Sequence, residues 1–112
     1  MAELAQLLAS IRIPDLAGKR VLITGASTGI GAAVARAFAA QGMKIGLHFN
    51  ASRDPAEKLA AEIKAGGGTV HLIQGDVSQD GETERVVKDA AEALGGLDGL
   101  VNNAGGMLGR LP

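Results

Sequence analysis

Apolar and polar positions along the chain follow two periods, one typical of buried strands and the other of amphipathic helices. Short, almost wholly apolar runs predict four strands, over residues 20–24, 44–49, 69–74 and 97–102. Between the strands, apolar residues recur at helical spacing and predict three helices, over residues 29–41, 54–65 and about 80–94. Strands without alternation are typical of parallel sheets that helices cover on both faces.

Turn and capping residues mark the ends of these elements. Asp54-Pro55-Ala56-Glu57 predicts a helix start with Asp54 as N-cap, and Ser78 or Asp80 is expected to cap the third helix. Gly42 occurs where a left-handed cap would end the first helix. Strand and helix alternate, so right-handed crossovers predict an α/β fold, part of a Rossmann-type doubly wound parallel sheet with strand order 3-2-1-4.

The sequence divides near Pro14. Residues 1–13 carry leucines at helical spacing and are expected to form a short helical extension, with a frayed terminus as the alternative. Residues 14–112 are expected to form one unit. Because the N-terminus lacks a basic region and no apolar run reaches the ~20 residues of a membrane span, we expect a cytoplasmic protein without a membrane partner.

Composition narrows the chemistry. The 112 residues carry a net charge of -1, which argues against a nucleic-acid partner. The sequence has no cysteine, so disulfides and thiolate metal sites are excluded. His48 and His71 have no other ligand-type residues clustered near them, so we expect core or edge histidines and assign no metal.

The stretch Thr24–Gly31 is the strongest functional signal. It follows the first strand and opens the first helix, so backbone N–H groups and the positive end of the helix dipole point into the turn and favour an anion. Gly25 allows the tight turn, Gly29 removes a side chain that would face phosphates, and Gly31 lets the helix lie close to the strand. A glycine-rich turn with a purely structural role is the alternative.

Three further stretches accompany this turn in a fixed order. Asp15-Leu16-Ala17-Gly18-Lys19 precedes the first strand, Asp76-Val77 follows the third, and Asn102-Asn103-Ala104-Gly105 follows the fourth. With the T-G-x-x-x-G-x-G spacing of the turn, they make residues ~14 to 112 resemble the short-chain dehydrogenase/reductase family. The resemblance implies the N-terminal half of a dinucleotide-binding Rossmann domain and hydride transfer between a nicotinamide and a carbonyl or alcohol carbon.

The resemblance also implies where the dinucleotide binds. The turn would hold the pyrophosphate, Asp76 would accept a hydrogen bond from the adenine amino group, and the segment after the fourth strand would pass beside the nicotinamide ribose. Alternatively, Asp76 stabilises the start of the third helix, and Asn102 has the more structural role of the two asparagines. The residues assigned to the cofactor are Gly25, Ser27, Thr28, Gly29, Ile30, Gly31, Asp76, Val77, Asn103, Ala104 and Gly105.

The end of the second strand bears on the choice between NAD and NADP. Relatives that select NAD place an acid there for the ribose 2′-OH, and its charge repels a 2′-phosphate. Phe49 occupies that position here, and no acid appears before Asp54. Asn50, Ser52 and Arg53 can donate to a phosphate, although Arg53 could equally be a solvated loop charge. We expect a preference for NADP(H), with NAD(H) as the alternative, although the glycine turn lacks the basic residue of many NADP-dependent relatives.

The catalytic groups implied by the resemblance are a Tyr, a Lys four residues later and a Ser. The sequence contains no Tyr, so no catalytic residue is assigned in this chain. Its fourth strand is an apolar edge, and such edges are normally covered. We therefore expect the NAD(P)-binding half of an oxidoreductase for a small carbonyl or alcohol, completed by a C-terminal half on the same or a separate chain, and a homo-oligomer. The alternatives are a non-catalytic dinucleotide-binding module with a partner chain, or an autonomous small protein.

Overall fold

The computed structural model describes residues 14–27 and 29–103, and the predicted extension over 1–13 lies outside them. A short 3-10 turn at Pro14–Leu16 leads into four strands alternating with three helices. These are β1 (Arg20–Thr24), α1 (Gly29–Ala40), β2 (Lys44–Phe49), α2 (Arg53–Ala65), β3 (Thr69–Gln74), α3 (Glu82–Leu94) and β4 (Gly99–Asn102). The strands pair in parallel in the order β3-β2-β1-β4, which confirms the predicted Rossmann-type sheet.

The register of the sheet brings all four carboxyl ends to one edge. Thr24, the last residue of β1, pairs with Asn102 of β4. On the other side of β1, Ile23 pairs with Leu47 of β2. Ligands of open α/β sheets bind outside the carboxyl ends of the strands, so this edge is where a site is expected.

Helices cover both faces of the sheet. On one face α1 and α2 pack over the larger core, which includes Ile23, Leu47 and Phe49. On the other face α3 contributes Val86 and Ala90 to a smaller core. Both faces are apolar because the central strand β1 is buried on each of them, with Leu22 and Ile23 fully buried.

The predicted N-cap of the second helix was wrong by two residues. The helix α2 begins at Arg53 with Ser52 in the N-cap position, so Asp54 lies inside its first turn. The Ser52 side chain makes no capping hydrogen bond. Proline remains within the first turn, where its missing N–H has no intrahelical partner in any case.

The predicted caps of the third helix were also wrong. Gly81, in the left-handed conformation with φ of 80°, precedes Glu82 at the start of α3. Ser78 instead donates both its backbone N–H and its hydroxyl to the Asp76 carboxylate, at 3.0 and 2.5 Å. This local turn competes with helix formation, so α3 begins later than either predicted cap would allow. Gly42 does adopt the expected left-handed conformation, with φ of 84°.

Candidate functional site

The glycine turn lies at the carboxyl end of β1, in the middle of the sheet. Gly25 and Gly29 have φ of 61° and 59°, in the left-handed region of backbone conformation that residues with a Cβ rarely adopt. The helix α1 starts at Gly29, so the first N–H groups of the helix, which have no intrahelical partner, are at the turn. Ser27 is half-buried within it, and the predicted site residue Thr28 lies outside the described residues.

Gly31 is the point of closest packing in this region. A Cβ at this position would lie 2.5 Å from the Gly25 carbonyl oxygen, 2.8 Å from Ala26 Cα and 2.8 Å from Asn103 Nδ2. Two of these atoms belong to the backbone and cannot rotate away. Glycine is therefore needed here for the first turn of α1 to pack against the glycine turn.

Among the described residues, nothing fills the space beside Gly29 in the turn. A Cβ at Gly29 would meet no atom of the described chain within 4 Å. The neighbouring Ile30 is 50% exposed, which is unusual for a large aliphatic residue in this chain. An exposed apolar side chain beside a row of backbone donors suits a ligand with both phosphate and apolar parts.

Side-chain hydrogen bonds tie the end of β4 to the turn. The Thr24 hydroxyl donates to Asn102 Oδ1 at 3.0 Å and accepts from the Asn103 backbone N–H at 2.9 Å. Asn103 Nδ2 donates to the Gly25 carbonyl at 3.1 Å. Both asparagines thus hold β1 and β4 together, as expected of Asn102. The predicted residues Ala104 and Gly105 lie outside the described residues.

His48, which the sequence predicts to be a core or edge histidine, makes a polar contact with the turn. It is 1% exposed. Its Nδ1 lies 2.9 Å from the Gly25 backbone nitrogen, and its Nε2 lies 2.7 Å from the Gly75 carbonyl oxygen. In the sequence, His48 is only a polar residue within an apolar strand, and this pattern does not reveal its hydrogen-bond partners.

Asp76 follows β3 and faces the same edge of the sheet. Hydrogen bonds from Ser78, first from its hydroxyl and then from its backbone N–H, hold the pKa of the Asp76 carboxyl below its ordinary value. The second oxygen has a longer contact, 3.5 Å from Gln79 Nε2. The alternative was that Asp76 stabilises the start of the third helix. Its carboxylate instead accepts hydrogen bonds in the turn before α3, so it can affect the start of that helix only through this turn. Val77 is partly buried against the smaller core.

The end of β2 carries one exposed cation. The Arg53 guanidinium lies 5.0 Å from the centre of the Phe49 ring and 3.7 Å from a Glu57 carboxylate oxygen, and its side chain is 58% exposed. Phe49 itself is 2% exposed, so its ring supports Arg53 from the core. Asn50 and Ser52 are exposed, and the Asn50 carbonyl accepts a hydrogen bond from Gln74.

The described residues also bear on whether the site holds a metal ion or lies at a membrane. Within residues 14–27 and 29–103, no three His, Asp or Glu side chains are grouped so that they could hold a metal ion. The helices in that part of the chain are all too short or too polar to cross a membrane.

Known proteins share this arrangement. The sequence model of the short chain dehydrogenase family matches residues 19–111. A 3beta-hydroxysteroid dehydrogenase of Eggerthella lenta is 38% identical over 91 residues, 81% of this chain and 35% of that protein. A 3-oxoacyl-(acyl-carrier-protein) reductase of Staphylococcus epidermidis is 39% identical over 87 residues, 78% of this chain and 36% of that protein.

A solved structure gives the same result in three dimensions. A short chain dehydrogenase of Burkholderia cenocepacia in complex with NADP superposes with a TM-score of 0.75 at 42% identity, over 78% of this chain and 36% of that one. The chain therefore spans about a third of the length of the curated relatives it matches. Both the sequence match and the sheet with its glycine turn lead to one conclusion: the chain belongs to the short chain dehydrogenase family.

Proposed function

We propose that this chain is the dinucleotide-binding half of an NADP(H)-dependent oxidoreductase that interconverts a small carbonyl compound and its alcohol. The observation that carries the proposal is the glycine turn at the carboxyl edge of the sheet, where open space faces Gly29 and the start of α1. A helix N-terminus with unpartnered N–H groups is a binding site for phosphate. The NADP bound by a relative of the same fold adds support.

The described residues fit a nicotinamide dinucleotide. Residues 25–31 would hold the pyrophosphate, with Ile30 against the apolar part of the ligand. Asp76 would accept a hydrogen bond from the adenine amino group, since its lowered pKa keeps the carboxylate ionised and acceptor-only. Asn103 and the two residues after it would lie beside the nicotinamide ribose. The bound cofactor would supply the hydride.

Arg53 is our candidate for the 2′-phosphate of NADP. Its guanidinium is held over the Phe49 ring, and most of the side chain remains exposed. The Ser52 hydroxyl, which makes no capping bond, is next to it at the start of α2. Glu57 is a weak competitor, since an exposed ion pair at 3.7 Å contributes little. A phosphate carrying two charges would displace it.

Titration of the protein with NADPH and NADH tests this assignment. Arg53→Gln should weaken NADPH binding about tenfold, the loss of roughly one charge-assisted hydrogen bond, and leave NADH binding unchanged. Arg36→Gln is the matched control, because Arg36 is also exposed and paired with a glutamate, Glu62, but lies on α1 away from the strand ends. Tighter binding of NADH than of NADPH by the wild-type protein would contradict the assignment.

The edge at β4 supports a C-terminal half as partner. Leu100 is 51% exposed, and beside it the described residues leave a groove of about 480 Å³ that is lined mostly by apolar residues, among them Phe38 and Met43, with Lys19 and Asp98 also in its lining. A further parallel strand on β4 would satisfy the backbone groups of this edge and bury Leu100. We propose that the completing half supplies the acid/base Tyr, the Lys and the substrate pocket. The homo-oligomer and the cytoplasmic location stay predictions.

The lack of tyrosine favours a second candidate, a dinucleotide-binding module without catalysis of its own. Intact-mass measurement and a carbonyl-reduction assay separate the two. A reductase should contain the C-terminal half, whether as a longer chain or as a second polypeptide, and should oxidise NADPH when given a carbonyl compound. A module should bind NADPH without oxidising it. If a species of only 11.3 kDa reduced carbonyls, the proposed division of roles between the halves would be wrong.

A further inference from the structure

His48 is the one histidine in the core of the described chain. It lies in β2 between Leu47 and Phe49 and is 1% exposed. Burial of an imidazole is unfavourable unless its ring nitrogens are hydrogen-bonded. Both nitrogens of His48 have backbone partners, so the side chain is placed by two directional contacts and not only by packing.

The two partners determine the form of the ring. The Gly25 backbone N–H can only donate, so Nδ1, 2.9 Å away, must be unprotonated. The Gly75 carbonyl can only accept, so Nε2, 2.7 Å away, must carry the hydrogen. A doubly protonated imidazole has no acceptor for Gly25. The geometry therefore requires a neutral ring with the proton on Nε2.

These partners belong to separate parts of the proposed dinucleotide site. Gly25 starts the glycine turn, and Gly75 directly precedes Asp76. Main-chain bonds run parallel to the side-chain bridge, since the Ala26 N–H donates to the His48 carbonyl at 2.9 Å and the Gly75 N–H donates to the Phe49 carbonyl at 3.1 Å. The strand β2 thus links the phosphate-facing turn to the segment after β3.

The Gly75 end of this link is closely packed against α3. A Cβ at this position would lie 2.6 Å from Val86 Cγ2 and 2.5 Å from Arg85 Nη2, so α3 packs directly against the Gly75 backbone. Arg85 in turn donates to the Gln74 carbonyl at 2.7 Å. With one end of the His48 bridge fixed by α3, its other end sets the position of the Gly25 N–H and so of the turn.

We propose that His48 is a positioning residue for dinucleotide binding: its imidazole holds the glycine turn at a fixed distance from the segment carrying Asp76. The proposal rests on the proposed function, since it assumes that the turn and Asp76 contact one ligand. That ligand is an adenine dinucleotide, in which a ribose sets the distance between the pyrophosphate and the adenine. If the turn were free to shift, the turn and Asp76 could not contact the pyrophosphate and the adenine at the same time.

Two substitutions separate the halves of the bridge. In His48→Asn the amide oxygen falls near the place of Nδ1 and can still accept from Gly25, while the contact to Gly75 is lost. In His48→Gln the amide nitrogen reaches the place of Nε2 and can still donate to Gly75, while the contact to Gly25 is lost. Both variants bury a polar amide in place of the ring. His71→Gln, at an exposed histidine of β3, is the control.

The measurement is NADPH affinity by isothermal titration, on the protein with any partner polypeptide that accompanies it, well below its Tm. We expect the Gln variant, which loses the contact to the turn, to bind about tenfold more weakly, a loss of about 1.4 kcal/mol. The Asn variant should remain within about threefold of wild type, because its amide oxygen still holds the Gly25 N–H and the bond from the Gly75 N–H to the Phe49 carbonyl still joins β2 to the segment before Asp76. The control should match wild type. The midpoint temperature of thermal unfolding should fall by similar amounts in the Asn and Gln variants, because each loses one buried hydrogen bond. Equal affinities of these two, whether both lowered or both unchanged, would overturn the positioning role.

A spectroscopic test is independent of affinity. Long-range ¹H–¹⁵N correlation spectra of the imidazole should show one tautomer, with the proton on Nε2, in the absence of ligand. A proton on Nδ1 would overturn the geometry. Failure of the proposed function has a different signature: a wild-type protein that binds neither NADPH nor NADH overturns both proposals, whereas a wild-type protein that binds while the two variants do not differ overturns only the role of His48.

Discussion

The two ends of the sheet are held together by different interactions. At the carboxyl end, neutral side chains reach across the strands to backbone groups. At the amino end, an exposed ion pair joins β1 to the segment before β4. Both ends lie in one sheet with the same register, so the difference does not come from the strands themselves.

Beside the glycine turn, the contacts of His48 and Thr24 are directional and come from buried side chains. His48 and Thr24 are 1% and 4% exposed, and both hydrogen-bond to groups of the glycine turn or of the residues beside it. Removing one partner of such a contact leaves a buried polar group without its hydrogen bond, which costs about 1–3 kcal/mol. These contacts of His48 and Thr24 are therefore little affected by salt and sensitive to small changes of shape.

At the amino end the contacts are ionic and solvated. The Arg20 guanidinium donates to the Asp98 carboxylate at 2.9 Å and to the Gly95 carbonyl at 2.8 Å. Roughly a third of each side chain in the Arg20–Asp98 pair is exposed. Such pairs are screened by salt and depend on pH. Hydrogen bonds from buried side chains are therefore concentrated where a ligand is expected, whereas a partly exposed ion pair joins β1 to the segment before β4 at the other end.

The largest effect should come from adding one methyl group at the carboxyl end. Gly31→Ala places a Cβ 2.5 Å from the Gly25 carbonyl oxygen, so the turn or the helix must move. We expect a loss of about 1–3 kcal/mol in the free energy of unfolding, and dinucleotide binding at least about a hundredfold weaker because the turn is displaced. Urea unfolding and NADPH titration measure the two quantities.

Gly66→Ala is the control at the amino end, after α2. Its φ is −83°, and a Cβ there would approach the chain no closer than 3.6 Å. It should leave affinity unchanged and stability within about 0.5 kcal/mol of wild type. If both alanines weakened binding equally, the two ends would not differ as we describe.

A smaller effect is expected when one hydroxyl is removed. Thr24→Val keeps the shape of the side chain but loses the donor to Asn102 and the acceptor for the Asn103 N–H. We expect a loss of about 1–2 kcal/mol in the free energy of unfolding and a severalfold weaker affinity for NADPH. The same change at the exposed Thr69, at the amino end of β3, should alter neither quantity. Equal losses of stability in Thr24→Val and Thr69→Val would mean that the carboxyl and amino ends of the sheet do not differ in this respect.

The sequence predicted the sheet well because its signals are local. The bounds of β1, β2 and β3 agree with the apolar runs, since buried parallel strands leave an uninterrupted pattern. The start of β4 was placed at Leu97, two residues too early. The Asp98 carboxylate accepts the Arg20 backbone N–H there, at 2.8 Å, so the ladder with β1 begins only after this contact. That partner is 78 residues away in sequence, and no local pattern reveals it.

The site was predictable where a motif defines a backbone shape, and not where side chains meet across strands. The close packing at Gly31 was expected from the glycine spacing, and the sheet contacts of the asparagines from their position after β4. His48 was missed as a site contact because its partners, Gly25 and Gly75, are 23 and 27 residues distant. The roles of Arg53 and Asp76 toward a ligand stay predictions, because the chain alone shows only their protein contacts.

The smallest effect should be the pH dependence that the Asp98 carboxyl contributes at the amino end. Hydrogen bonds from the Arg20 guanidinium, and then from its backbone N–H, lower the pKa of Asp98 from 3.8 to about 2. The stabilisation is complete above the unfolded-state pKa and is lost as pH falls through about 2, where the folded carboxylate takes up its proton.

Between about pH 4 and about pH 2, the wild-type protein takes up as much as about one proton at Asp98 when it unfolds, and this uptake lowers its stability as the pH falls. Asp98→Asn cannot take up that proton, so its free energy of unfolding should fall less over the same range. Arg20→Gln should remove most of the same dependence, because it takes away the first of the two causes. Urea midpoints across this pH range, compared with wild type, measure the effect, and His48→Gln should leave the slope in this window unchanged, since its hydrogen bonds join groups at the opposite end of the sheet. A wild-type slope retained in both Asp98→Asn and Arg20→Gln would mean that the ion pair does not stabilise this end, and that β1 and the segment before β4 are joined at the amino end by backbone hydrogen bonds without its help.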